Sequence, residues 1–385
     1  MRHHNSLMHD LLKMVAWSKF EAAVDKHEAD RGVRKLDSKS HLVALLQAQL
    51  SGAVSLREIE TTMASQAARL YHLGVRAPKR STLSDANAAR PAALFCDLFN
   101  DLLAQAQRGL RKASKEAIRL IDATSISLSS LSKDWATYEA HGCATKLHVV
   151  FDPDAEVAVH FAVTPARVND ITAAKAMPIE PGRTYVFDLG YYDFGWWADL
   201  VARGCRFVTR LKKNTPTRLI AERPVPKGGN ILADRVVRLP ERLARSRTNP
   251  CACDLREVQV RIDTGKILRI VSNDLDSEAE QIAQLYKTRW QIELFFRWVK
   301  QTLKIRKFLG TSENAIRCQI AVALIAHLLL SMAHALQSAV PSLLTFTRLV
   351  RANLMQFASI RQLAIPPPSR PHAATRNQME LAIGC

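Results

Sequence analysis

Acidic residues are the scarce class in this chain. Asp and Glu number 36 against 54 Lys and Arg, which leaves a formal net charge of +18 over 385 residues. That balance excludes an acidic, solvating protein. It favours a polyanionic partner, nucleic acid first, because basic residues recur along the whole length. Cysteine is sparse as well. Seven residues with no dense spacing exclude a disulfide framework, and a reduced, cytoplasmic setting is expected. Cys251 and Cys253 form a C-x-C pair and lack the C-x-x-C spacing that zinc sites prefer. Long hydrophobic runs are missing. The N-terminal segment with His3, His4, Asn5 and Asp10 has no apolar stretch of the signal-peptide kind. The most apolar segment, about 320–332, is interrupted by His327 and is shorter than the ~20 residues a membrane span needs. A buried helix and no membrane partner are expected there. No internal repeat is visible.

The remaining composition is that of a folded protein. Hydrophobic residues make up 48%, close to the globular norm, and the length suits two or three domains. Residues 1–115 read as helical. Leu7, Leu11, Leu12 and Val15 recur at helical spacing, as do Leu42, Leu45, Leu46 and Leu50, and Phe95, Leu98, Leu102 and Leu103. Between them, Pro78-Lys79-Arg80-Ser81-Thr82 reads as a basic turn with Ser or Thr capping a helix close to a phosphate backbone. From Ile118 the period changes. Short β-rich runs at 118–126, 146–151, 157–163, 184–188 and 206–211 alternate with helical stretches near 173–177 and 196–203, which predicts a mixed sheet with flanking helices. After Lys213, Pro and Gly punctuate a further set of strands at 235–239, 257–262 and 267–271, read as a β-rich insertion. One long helix is expected over 277–308 and an apolar one over 315–336, with an irregular tail from Pro366.

The long helix carries the chemistry. Tyr286, Arg289, Glu293, Arg297, Lys300, Lys304 and Lys307 follow one another at intervals of three or four and share one face. That face is nearly all cationic, and Glu293 is its exception. An i,i+4 salt bridge to Arg289 or Arg297 is the ordinary role for such a Glu. The alternative is a metal ligand set among cations that hold DNA phosphates. Two further carboxylates support it. Asp122 lies within the apolar run Ile121-Asp122-Ala123-Thr124, and Asp188 ends Thr184-Tyr185-Val186-Phe187-Asp188. Burying an Asp in a strand is costly unless it is paired or bound to metal. Hard oxygen donors of this kind suit Mg²⁺ or Mn²⁺, and two ions could serve an in-line phosphoryl displacement.

The spacing Tyr286-x2-Arg289-x3-Glu293-x6-Lys300 resembles the Tyr-Arg-Glu-Lys signature of DDE transposases of the insertion-sequence-four type. Asp188-x-Gly190-x-Tyr192 resembles that group's second-aspartate motif, and Ile121-Asp122-Ala123-Thr124 its first-aspartate strand. His3-His4-Asn5-Ser6-Leu7, Leu50-Ser51-Gly52, Ser55-Leu56-Arg57-Glu58-Ile59 and Arg80 to Asn87 resemble the accessory domain of many members. The resemblance implies an α/β, RNase H-like core, with Asp122 and Asp188 on adjacent strands and Glu293 on the following helix. It implies catalytic and metal-binding roles for Asp122, Asp188 and Glu293. It further implies cut-and-paste transposition through a DNA hairpin, with two Mg²⁺ or Mn²⁺ ions and a homodimer on double-stranded DNA.

Phosphate contacts are expected from Tyr286, Arg289, Lys300, Arg297, Lys304, Arg210 and Lys212. Trp290 could stack on an extruded base, although core packing is the expectation. Trp196 and Trp197 are expected in a core, and His148 as a structural His. The division expected is a helical DNA-binding region at 1–115, a core at 116–213 and 276–312, the insertion at 214–275, and C-terminal helices at 313–385. A non-catalytic DNA-binding regulator, a nuclease without strand transfer, or an inactive relic would share much of this sequence.

Overall fold

The computed structural model describes residues 6–110, 117–138, 142–225, 228–242, 248–303, 305, 308–356, 359–360 and 363. The chain opens with helices α1 (Leu7–Leu12), α2 (Trp17–Lys26), α3 (Ser38–Ser51), α4 (Leu56–Ser65), α5 (Ala67–Leu73), α6 (Arg80–Ala89) and α7 (Ala92–Leu110). Local chemistry sets their ends. The Asp37 carboxylate accepts from Ser40 N at 2.6 Å to start α3, and Gly52, left-handed at φ 81°, stops it. Residues Ser40 to Leu50 of α3 are all buried, so this helix is enclosed by its neighbours. The start of α6 differs from the expectation. Ser81 and Thr82 lie inside its first turn, and Lys79 stands at the cap position with no side-chain bond. Glu60 of α4 does the capping instead, accepting from Arg80 N at 2.9 Å.

The middle of the chain is α/β. Strand β1 (Ile118–Leu128) is followed by the short helix α8 (Lys133–Ala136), β2 (Thr137–Tyr138), β3 (Gly142–Asp152) and β4 (Val157–Pro165). Then come α9 (Asp170–Ala176), β5 (Thr184–Phe187), α10 (Phe194–Ala202) and β6 (Arg206–Arg210). β3 lies antiparallel to β1, and β4 antiparallel to β3. β5 lies parallel to β1 on its other side, and β6 parallel to β5. This is the expected core, with the two aspartate-bearing segments on neighbouring strands. Trp196 and Trp197 are buried against Phe187 and Phe207 beneath it.

Residues 214–275 supply β7 (Arg218–Glu222), β8 (Ile231–Arg238), β9 (Leu255–Arg261) and β10 (Ile267–Ser272). They do not form a detached sheet. β10 pairs with β6, so all four antiparallel strands extend the core sheet in the order β6-β10-β9-β8-β7. Two buried ion pairs brace this sheet. Arg119 at the start of β1 holds Asp152 at the end of β3 at 2.8 Å, and Arg256 of β9 grips Asp234 of β8 through two bonds of 2.6–2.7 Å.

The expected single helix over 277–308 is two helices, α11 (Ala279–Thr288) and α12 (Trp290–Thr302), joined at Arg289. Lys304 and Lys307 lie outside the described residues, as do His3, His4 and Asn5 and the tail from Pro366. α13 (Glu313–Ala335) and α14 (Leu343–Asn353) complete the fold. α13 has the length and apolarity of a membrane span, yet 83% of its most apolar window is buried by protein. It packs against α3, α6 and α7, so the first and last helices of the chain form one body. Asn314 ties this body together, donating to the carbonyls of Asn87 and Arg90.

Candidate active site

The register of two strands brings the first two carboxylates together. Leu120 of β1 pairs with Val186 of β5 in parallel. Two residues further on, each strand points a side chain to the same face again, so Asp122 stands opposite Asp188. Leu120 and Val186 pack in the same core cluster as Ile292, Phe295 and Phe296 of α12. The apolar face of α12 therefore seats that helix against β1, and Glu293 in its first turn comes close enough for Asp122 to feel its charge.

Each carboxylate has defined partners. Asp122 accepts from the N–H of Ala123 at 2.8 Å. Burial pushes its pKa up to about 6, and the negative charges of Asp188 and Glu293 add to that shift; the Ala123 N–H and Arg289 oppose it. Asp188 turns its Oδ1 back to accept from Gly190 N at 2.8 Å, which opens a tight turn over residues 189–191. A Cβ on residue 190 would lie 3.0 Å from that oxygen and press on it. Glu293 accepts from Arg289 Nη2 at 2.7 Å, the i,i+4 salt bridge that the spacing allowed. The same guanidinium reaches Asp122, with Nη1 3.6 Å from Oδ2. One arginine at the joint of α11 and α12 thus bridges the first and third carboxylates.

The other signature residues divide by position. Tyr286 is buried on α11, with the Arg289 guanidinium 5.9 Å from its ring centroid. Burial raises its pKa, while Arg210 and Arg289 pull against that rise. Arg210, at the end of β6, has a buried Nε without a partner among the described residues. Lys300 donates to the Ser125 carbonyl at 2.7 Å and ties α12 to β1. Arg297 is exposed on α12. Lys212 is drawn over the Tyr192 ring, 4.6 Å from its centroid. Lys304 falls outside the described residues.

Trp290 departs from the expected core packing. It is 51% exposed and lines a cleft of about 510 Å³ between α11, β8, β9 and β10, together with Tyr286, Arg289 and Arg261. Helical spacing puts it on the polar face with Tyr286 and Arg297, opposite Ile292 and Val299. His148 is a structural residue: its Nε2 shares a 2.8 Å bond with Thr164 Oγ1, and burial lowers its pKa to about 4.

Two groups near the site are not singled out by the sequence pattern. Tyr191 is fully buried, its hydroxyl has no partner among the described residues, and it feels the charges of Asp122, Asp170 and Asp188. Asp170 at the start of α9 is held by Lys146 at 2.9 Å. An Asp that begins a helix, and a Tyr directly before Tyr192, are the cues available for them.

Among the described residues no three His, Cys, Asp or Glu side chains stand as a ready metal cage. The donor chemistry fits a hard divalent cation nonetheless. Asp122 feels the charges of Asp188 and Glu293, and Arg289 supplies positive charge between Asp122 and Glu293.

Comparison with known proteins bears on this geometry. Residues 113–329 match the family model described as Transposase DDE domain, and residues 3–76 match a domain of unknown function, DUF4372. A Sinorhizobium fredii protein named as a transposase, y4zB, is 38% identical over 76% of this chain and 82% of its own length. A Geobacillus stearothermophilus protein named as a transposase for insertion sequence element IS5377 is 27% identical, covering 65% of this chain and 66% of its own. A solved piggyBac transposase synaptic complex with hairpin DNA aligns with a TM-score of 0.47 at 10% identity, covering 96% of this chain and 84% of that one.

Proposed function

The chain belongs to the family of transposases with a DDE domain, and from that premise we propose that Asp122, Asp188 and Glu293 are its catalytic carboxylates, moving a bacterial insertion sequence by cut-and-paste. The observation that carries this reading is the register of β1 against β5 beneath α12. It supports the reading by placing Asp122 near Asp188 and Glu293, with Arg289 bonded to Glu293 and close to Asp122 and with Lys300 tied to β1.

Asp122, Asp188 and Glu293 would hold two Mg²⁺ or Mn²⁺ ions. When bound, such ions activate an attacking oxygen and stabilise the leaving oxygen of an in-line displacement. The side chains do the rest. Arg289 orients Asp122 and Glu293 and limits their mutual repulsion. The Gly190 N–H fixes the rotamer of Asp188. Arg210, Arg289 and Lys300 give the scissile phosphate a cationic frame, and Arg297, Lys304 and Lys212 extend it along the DNA. The first cut frees a 3′ hydroxyl by hydrolysis, with water as nucleophile. That hydroxyl then attacks the opposite strand to close a hairpin, which is reopened before strand transfer into target DNA. Trp290 and the cleft beside it suit a base extruded at the hairpin tip, because an exposed indole offers a stacking face. The protein works in the bacterial cytoplasm as a homodimer on double-stranded DNA.

The test is incubation of the protein with Mg²⁺ and DNA carrying the element's own ends. End cleavage with a hairpin species on a denaturing gel is expected. Cleavage at random sites with no joined product would favour a simple nuclease, and binding with no cleavage would favour a regulator.

A further inference from the structure

A fourth carboxylate stands behind the proposed site, on the other face of the sheet. Alternation along β1 points Asp122 toward α12 and points Ala123 and Ser125 the opposite way. His148 and Lys146 of β3 pair with those two residues and share their face. Helix α9 packs there, against β1, β3 and the turn over residues 189–191. Its first residue is Asp170. Lys146 Nζ donates to Asp170 Oδ1 at 2.9 Å and to the Val168 carbonyl at 3.0 Å. An Asp in the first turn of a helix, paired with a Lys, is an ordinary structural arrangement, and it accounts for Oδ1.

It does not account for Oδ2. That oxygen makes no hydrogen bond among the described residues and faces the Asp188 turn. A Cβ on Gly190 would lie 3.5 Å from Asp170 Oδ2 and 3.0 Å from Asp188 Oδ1, so the two oxygens are separated by no more than the sum of those distances. Tyr191 adds an independent observation. Its fully buried hydroxyl has no partner among the described residues and feels the charges of Asp122, Asp170 and Asp188 together. The buried His148 ring stands on the same side, with Nδ1 3.9 Å from Asp170 Oδ1. Burial keeps that ring neutral, so it does not offset the carboxylate. Further along α9, Lys175 holds Asp193 at 2.7 Å. The helix thus meets the loop that carries Asp188 at two points.

We infer that Asp170 is a positioning residue of the carboxylate site. Held by Lys146, it fixes a negative charge behind the Asp188 turn and strengthens cation binding by Asp122 and Asp188. The inference rests on the transposase reading for the cation itself, a hard divalent ion. Asp170 does not ligate that ion. It acts through Asp188, by charge at short range in a partly buried setting.

The experiment titrates the full chain with Mn²⁺ alone by calorimetry, without DNA, and then follows end cleavage against Mg²⁺ concentration. Asp170→Asn keeps the shape and can still accept from Lys146, so only the charge is lost. It should weaken Mn²⁺ binding by roughly tenfold. Its cleavage should be slow at low Mg²⁺ and return to within a few-fold of wild type at saturating Mg²⁺, with an unchanged melting curve in EDTA. Asp199→Asn makes the same charge change on the exposed side of α10, where Asp199 pairs with Arg203, and should bind Mn²⁺ like wild type. Asp188→Asn should abolish the binding. Wild-type Mn²⁺ affinity in Asp170→Asn, beside a silent Asp188→Asn, would overturn the inference and leave the transposase reading standing. A cleavage defect in Asp170→Asn that saturating Mg²⁺ does not relieve would also overturn it, in favour of a structural role. Unchanged Mn²⁺ binding in Asp188→Asn would instead defeat the assignment of the carboxylates.

Discussion

Three carboxylates in this site differ less in chemistry than in what holds them. Asp122 is fixed by a strand, Asp188 by its own turn, and Glu293 by Arg289. The Asp188 turn is the most sensitive to a small change. Placing a methyl on Gly190 puts a carbon 3.0 Å from Asp188 Oδ1, so the carboxylate must give by a few tenths of an ångström. Gly190→Ala is expected to lower end cleavage by roughly two- to tenfold, less than the ~10²-fold cost of misplacing a reacting group by about 1 Å. Its thermal unfolding should stay near wild type, because the turn is at the surface. Single-turnover cleavage beside a melting curve measures both. Single residues are legible in the sequence where type and function coincide. Asp122, Asp188 and Glu293 stand out as acids in apolar or basic surroundings. Spacing marks Arg289 for phosphate binding, and its bridge between two carboxylates depends on a break between helices that spacing alone does not reveal. The exposure of Trp290 is legible too. At helical spacing it falls on the polar face near Tyr286, Glu293 and Arg297, well away from the apolar stripe, and so lines the cleft.

Among the elements, the sheet is continuous from β4 through the core to β7, and this continuity positions the cleft beside Arg289 and the proposed site. The strands of the core are legible from β-branched runs, and their adjacency follows from the family resemblance. The attachment of β10 to β6 is not legible, since pairing between residues as distant in the chain as Arg210 and Ile270 leaves no periodic trace. Nor are the buried ion pairs. Arg256 and Asp234 are 1% and 2% exposed in their side chains and face each other from neighbouring strands. Removing one partner strands a charge in the interior. Asp234→Ala should cost about 3–5 kcal/mol, read from the urea midpoint, with the penalty arising from the unpaired Arg256. A loss below ~1 kcal/mol would show that water reaches the guanidinium.

For the whole molecule, acid is the expected weakness. Burial lowers the pKa of His41 to about 3, and those of His148 and His327 to about 4. Each is neutral in the folded state and takes up a proton near 6.5 when unfolded. Their depressed values mean that stability is full above pH 6.5 and is lost as pH falls toward 4, because the unfolded chain binds the protons first. Together they contribute a slope of at most about 4 kcal/mol per pH unit in that window. Urea unfolding at pH 7.5, 6.0 and 5.0 measures it, and His327→Phe, which removes one of the three, should flatten the curve.

In a chain of net charge +18, the proposal gives three of its acids a shared chemical role. Glu293→Gln is the sharpest probe of that assignment, because Gln keeps the shape and can still face Arg289. The measurement is Mg²⁺-dependent cleavage of DNA bearing the element's ends, with DNA affinity determined on the same preparations. Loss of cleavage by about 10³-fold or more with affinity within a few-fold of wild type is predicted, the scale of removing an essential group from a metal-dependent site. Cleavage by Glu293→Gln at the wild-type rate would contradict the assignment and return Glu293 to the role of a helix salt bridge.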